Sequence, residues 1–352
     1  MPKQLFLSLF FLFFCLRGFS AVFVVTSNAD SGPGTLRDAL TQAAANGNLE
    51  KDYINFNLPD VSVAGRTITL LSNLPTINSD MIIDGSTQPG TALSVNGAKV
   101  VIGGNYYDPN AYIDYFYVEN VNSLEVDGLI IKGFYSNYDR YTGIQVFIIG
   151  GNNKSIQLGQ PGKGNVIYNC SEALEFTVGE GAFQNKSSTD NLILKNNFIG
   201  VEEDGITIAD NIQSECMANY VSNIVLGGET KAEGNVFYGV VSLSPSYGAD
   251  VLKNNSNIYI KNNIFGANSQ EKRTADPNIN TDWNNFYLTI GAYYQDTGPY
   301  SSSVQITDNV FGYEVSLSGF QKLNLMMQHN YFGVSEDQQN SLPIKAAALT
   351  LN

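Results

Sequence analysis

Asp127, Asp139 and Arg140 lie in one stretch with Lys132 between them, and they are the residues best suited to acid–base chemistry. A carboxylate and a neighbouring base can give and take a proton when the fold brings them together. The competing assignment is a set of solvated loop charges. Glu202-Glu203-Asp204 follows a repeated motif and reads as a solvated corner, with catalysis or calcium binding as the alternative. His329 is the only histidine, directly before Asn330. One imidazole builds no His-cluster metal site, and no Gly-x-Ser-x-Gly elbow accompanies it, so it reads as a corner residue. Neither a Gly-Gly-x-Gly-x-Asp calcium repeat nor a phosphate-cradling glycine loop occurs. The sequence therefore implies no metal and no cofactor.

A second kind of chemistry is contact rather than reaction. Tyr112, Tyr115 and Tyr117 crowd one segment and Tyr138 and Tyr141 follow, while Trp283, Phe286 and Tyr287 belong to a later group. Aromatic rings on a rigid support can stack on sugar faces or anchor a protein partner. The alternative is that they pack back onto the fold. Tyr112, Tyr115, Tyr117, Tyr138 and Tyr141 are the ligand-binding candidates.

Composition narrows the partners. The chain has 352 residues, 43% hydrophobic and 15% charged, enough to bury a sizeable core. A net charge of -14 has the wrong sign for a phosphate backbone or an anionic membrane surface, which excludes nucleic acid as an expected partner. Lys3, the apolar run 5–16 and the small-x-small Gly18-Phe19-Ser20 read as a signal peptide over 1–20, so the mature protein is expected to be secreted or displayed at the cell surface. No later run is long enough for a transmembrane helix. Cys170 and Cys216 then remain, either as one disulfide or as two isolated buried thiols.

The elements that must position these residues are written in a repeat. Forty residues are Asn. Asn197-Phe198-Ile199-Gly200, Asn263-Ile264-Phe265-Gly266, Asn309-Val310-Phe311-Gly312 and Asn330-Tyr331-Phe332-Gly333 share one pattern, and Gly164-Asn165-Val166-Ile167 and Gly234-Asn235-Val236-Phe237 are offset versions. Each follows a short strand-like run. Strands this short, without recurrent hairpin turns, fit a coil of stacked parallel strands better than a sandwich. At a corner of such a coil Asn tolerates a left-handed backbone, and its amide can bond to the same amide in the coils above and below. The spacing therefore predicts an asparagine ladder through 165, 197, 235, 263, 309 and 330.

The N-terminal part predicts a strand over 22–26 and then a helix started by Thr35 and Asp38, with Leu36, Leu40, Ala43 and Ala44 on its apolar face and Asn46-Gly47 as its end. One amphipathic helix is what is needed to cover the open end of a stack. The residues 344–351 read as one more coil strand with nothing beyond to cover it. Either the natural protein continues or that end meets a partner.

TSNADSGPGTLRDAL at 26–40, continued by YINFNLP, TITLLSNLPTI and MIIDGSTQPG within 53–89, resembles the opening of secreted bacterial right-handed parallel β-helix proteins of the pectin-lyase-like fold. NFIGVEEDG at 197–205 and NYFGVSEDQQNSLP at 330–343 look like the repeat units of that group. The resemblance covers most of the mature chain, apart from 104–145 and 268–300. It implies an extracellular fold and no particular reaction, since fold does not fix function. Pectin-degrading hydrolases of such folds use an aspartate cluster with Gly-His-Gly and Arg-x-Lys elements, and none of these is in the sequence.

The expectation is thus an all-β, single-stranded right-handed parallel β-helix over 21–352. It has a cap at 21–50, coils over 51–352, and irregular insertions at about 104–145 and 268–300. As a function it implies a non-catalytic surface scaffold or adhesion module that contacts polysaccharide or other surface proteins. The alternative is a polysaccharide lyase or glycoside hydrolase working through Arg140, Asp127 and Asp139.

Overall fold

Alternation of apolar and polar residues decides which side of each strand faces inward. The computed structural model describes residues 20–104, 113–133, 144–176, 188–209, 214–244, 256–273, 287–291, 302–320, 322–342 and 349–351. Their strands are laid down in turn in three parallel sheets of ten, nine and eight strands. Leu124–Asp127, Leu129–Gly133 and Ile144–Gly150 place one strand in the first, second and third sheet, and Asn152–Leu158, Val166–Tyr168 and Glu172–Phe176 repeat the cycle. Each strand pairs only with its counterparts one coil away, an arrangement consistent with a parallel β-helix. Strands of the 104–145 and 268–300 segments take part in register: Ile113–Glu119 pairs with Ile144–Gly150, and Tyr287–Gly291 with Glu314–Ser318.

Stacking converts sequence alternation into continuous columns. In the first sheet Ile54, Ile83, Val126, Leu158, Leu194, Leu226, Ile260, Ile306 and Met327 lie in register along the core. In the second sheet Ile68, Ile102, Ile131, Ile167 and Ile199 form a column that changes to Phe237, Phe265, Phe311 and Phe332. Those four rings stack with centroids 5.1, 5.0 and 4.9 Å apart. Cys216 stands in the third sheet's column between Leu174 and Val241. Cys170 and Cys216 are both free and buried, and burial pushes each thiol up to about 12. The two-thiol alternative is the one the structure adopts.

The asparagine ladder is present. The Nδ2 groups of Asn165, Asn197, Asn235, Asn263 and Asn309 donate to the Oδ1 of the next asparagine at 3.1, 3.0, 2.9, 3.1 and 3.0 Å, ending on Asn330. Each of these five backbone N–H groups donates to the same oxygen. Every amide also donates to a carbonyl at the end of a first-sheet strand, from Val126 at Asn165 to Ile306 at Asn330. The residue before the ladder position is left-handed at Asn196, Asn262, Asp308 and His329, with φ between 51° and 60°. His329 is thus a corner residue, its Nδ1 3.4 Å from Asp308 Oδ1.

The helix Leu36–Asn46 begins where expected. Thr35 accepts from the Asp38 N–H at 3.2 Å, and Asp38 accepts from the Gly34 N–H at 2.8 Å. Leu36, Ala39, Leu40 and Ala43 are buried, and the helix lies against the strands Val22–Val25 and Asp52–Phe56. At the other end Leu323, Leu325, Met327 and Phe332 are only partly buried, although Val304, Ile306 and Phe311, the counterparts of the last three one coil earlier, are wholly inside.

Candidate functional site

Asp127 ends the strand Leu124–Asp127, and its register partner is Asp84. Leu124 and Val126 point into the core, so Glu125 and Asp127 share the outer face. The loop 159–164 then folds over that face, made possible by left-handed glycines at 159 and 162 with φ 75° and 78°. It delivers Lys163, whose Nζ lies 2.7 Å from Asp127 Oδ2, 3.2 Å from Asp84 Oδ2 and 3.8 Å from Glu125 Oε1. Gln160 donates its Nε2 hydrogens to Glu125 and, at 3.2 Å, to Asp127. Asp84 is well satisfied, accepting from the Ser86 N–H and hydroxyl.

Asp127 is not. Its exposure is 0%, and its Oδ1 has no hydrogen-bond partner. Burial pushes its carboxyl up to about 7. The hydrogen bond from Lys163 opposes the rise and neighbouring Glu125 adds to it. Burial works against the Lys163 ammonium, but Asp127 and Asp84 outweigh it and hold that amine above its usual range.

Lys132 and the turn at 202–204 form a second constellation. Lys132 Nζ donates to the Tyr168 hydroxyl at 2.6 Å and to Glu203 Oε1 at 2.8 Å, and Tyr168 donates to the same carboxylate oxygen at 2.9 Å. Burial raises the Glu203 carboxyl, yet bonds from Lys132 and Tyr168 prevail and hold it below its usual value. Burial and the Glu203 charge push the Tyr168 phenol well up. Beside this triad lies a cleft of about 440 Å³ between Leu93, Ser94 and Val95 on one wall and Glu202, Glu203 and Asp204 on the other. On the third sheet Gln145 bridges Glu172 and Glu175, and burial together with Glu172 raises the Glu215 carboxyl.

Of the sequence candidates, Asp127 therefore sits in a closed network and Tyr115 is buried at 0% exposure, its hydroxyl 3.5 Å from the Lys132 carbonyl. In that position the Tyr115 ring presents no face to a ligand. Tyr117 is half-buried, in register with Ile148. Arg140, Asp139, Tyr112, Tyr138 and Tyr141 lie outside the described residues, as does the signal-like segment up to residue 19. Among the described residues no group of three or more His, Cys, Asp or Glu is placed to hold a metal, and no helix is long and apolar enough to cross a membrane.

Lys163 and the Lys132–Glu203 pair had no sequence signal. Their partners are 36 and 71 residues away, and only the lengths of the intervening coils bring them together. No protein-family model matches the chain, and neither a curated protein nor a solved structure matches it. The site's own geometry therefore carries the functional argument.

Proposed function

We propose that this chain is an exported, right-handed parallel β-helix that serves at the cell surface as a non-catalytic scaffold or adhesion module in contact with glycans. The observation that carries this reading is how the polar groups are used: the six-asparagine ladder and the Lys163 and Lys132 clusters spend their hydrogen bonds on joining coils. A shaft needs that, whereas a catalyst needs groups left open toward substrate. The right hand is supported by the near-universal sense of crossovers between parallel strands of one sheet. Export is supported by the signal-like residues 1–20. The helix Leu36–Asn46, with four buried side chains, suits a cover for the first coil.

The second reading is a polysaccharide lyase or glycoside hydrolase working through Arg140, Asp127 and Asp139, and what supports it is Asp127, whose carboxyl burial pushes up to about 7 beside Glu125. The purified mature chain, with and without calcium, is to be incubated with acidic and neutral polysaccharides while unsaturated products, new reducing ends and pull-down are followed. The expected result is pull-down of at least one glycan with no product. Product formation overturns the scaffold reading in favour of the enzyme, and absence of any pull-down removes the glycan contact.

The partly exposed Leu323, Leu325, Met327 and Phe332 support a protein partner at that end of the stack. Light scattering is expected to show concentration-dependent association. A strictly monomeric species at high concentration counts against a covered end.

A further inference from the structure

We propose that Asp84, Glu125, Asp127, Gln160 and Lys163 form a proton-operated clasp: one proton held by the Glu125–Asp127 pair keeps the loop 159–164, and the loop 94–97 bonded to it, seated on the coils, and loss of that proton loosens both. The cluster's composition leads to this. Three carboxylates face one ammonium, so full ionisation leaves two uncompensated negative charges in a place where Asp127 has no exposure and one of its oxygens no partner. A proton on the pair removes one of those charges without moving any side chain.

The groups facing Asp127 come from every element around it. Glu125 is on its own strand, Asp84 on the neighbouring strand Met81–Asp84, and Gln160 and Lys163 on the loop. Lys99 is turned away, its Nζ 3.2 Å from the Gln88 carbonyl. One coil further on, Lys195 and Glu233 neutralise each other at 2.8 Å. No second cation is therefore in contact to replace the proton among the described residues.

The clasp has a mechanical path outward. The Lys163 carbonyl accepts from the Gly128 N–H at 2.9 Å, and the Gly164 N–H donates to Asn96 at 3.0 Å. Asn96 in turn donates to the carbonyls of Asn165 and Asn196. The two loops touch so closely that a Cβ on Gly97 would stand 1.9 Å from the Gly162 carbonyl oxygen. Beyond Asn96, the Val95 N–H donates to the Glu203 carbonyl at 3.0 Å, so the same path ends at a wall of the cleft.

The sign follows from linkage. The folded carboxyl binds its proton more tightly than the same carboxyl in an opened loop. The opening constant therefore rises by up to about tenfold per pH unit between the two values and levels off above the higher one, near 7. Seating is complete in acid and lost as pH rises toward neutrality. Hydrogen exchange of the mature chain, read by mass spectrometry at pH 5 and pH 8 and normalised to the strands Val221–Gly227 and Ser256–Lys261, tests this. Peptides covering 93–99 and 159–165 are expected to lose protection by at least about tenfold at pH 8. Asp127→Asn, neutral at every pH, is expected to keep acid-level protection at pH 8. Glu125→Gln removes the like charge and is expected to shift the transition to lower pH, a readout that stands even if Asp127→Asn fails to fold. Equal normalised protection at both pH values, or an unchanged transition in either folded variant, overturns the clasp.

Discussion

Asn235→Ala is expected to lower the unfolding free energy by about 2–6 kcal/mol, because it leaves two buried donors of the preceding coil without an acceptor at about 1–3 kcal/mol each. Asn235 is 1% exposed and its Oδ1 accepts from the Asn197 N–H at 2.9 Å and from Asn197 Nδ2 at 3.0 Å. Its own Nδ2 donates to the Leu194 carbonyl at 2.8 Å and to Asn263 Oδ1 at 2.9 Å. The methyl group of alanine replaces none of these. With an unfolding entropy of about 2.1 cal/mol/K per residue, a chain of this length shifts by roughly 1.4 °C per kcal/mol, so a drop of about 3–8 °C in the thermal midpoint follows. Strands pair only with those of adjacent coils, so a weakened junction in mid-stack should also broaden or split the transition. Calorimetry reads both effects, and a midpoint within about 2 °C of the parent removes the ladder from the list of what holds the coils together.

Asn235→Asp separates hydrogen bonding from shape. The new oxygen would face the Leu194 carbonyl and Asn263 Oδ1, acceptor against acceptor, and would be charged in a buried site. The folded carboxyl must then bind its proton more tightly than the unfolded one, so the deficit is largest at neutral pH and shrinks as the solution is acidified. At pH 7 this variant should be less stable than Asn235→Ala, and near pH 4 the order should narrow or reverse.

The ladder was legible because its cause is local. A corner needs a residue that carries both a donor and an acceptor, and Asn before an apolar pair records that demand six times, four of them with a Gly after the pair and a left-handed residue before the Asn. The helix was legible for a similar reason, through Thr35, Asp38 and the spacing of Leu36 and Leu40. The outer-face clusters were not. Between ladder positions the chain takes 21 to 46 residues, and no local rule says which side chain of a long coil returns above Asp127 or Lys132. Tyr115 and Tyr117 show the limit from the other direction. Their spacing puts them on one side of a strand, yet the backbone around Gly104 and Lys132 closes over Tyr115 and leaves Tyr117 half-buried.

Phe265→Ala should rank with the ladder variants, at about 3–5 kcal/mol for a buried phenylalanine truncated to alanine. Its ring is fully buried and stacked on both faces, against Phe237 at 5.1 Å and 12° and Phe311 at 5.0 Å and 11°, with Tyr313 edge-on at 5.9 Å. Truncation leaves a cavity in mid-column and takes a stacked partner from two rings at once, each contact contributing about 0.5–1.5 kcal/mol beyond its area. Phe332→Ala, with its one stacked neighbour Phe311 and a partly exposed ring, should cost less than half as much. The column itself supplies a sharper comparison, since Ile68, Ile102, Ile131, Ile167 and Ile199 fill the same position in earlier coils. If filled volume is what the position needs, Phe265→Ile should recover most of the loss seen with alanine. If the two substitutions prove equally damaging in denaturant melts, the stack of rings, rather than the space it occupies, holds these coils in register, and the change from isoleucine to phenylalanine along the column marks where the shaft relies on aromatic contact.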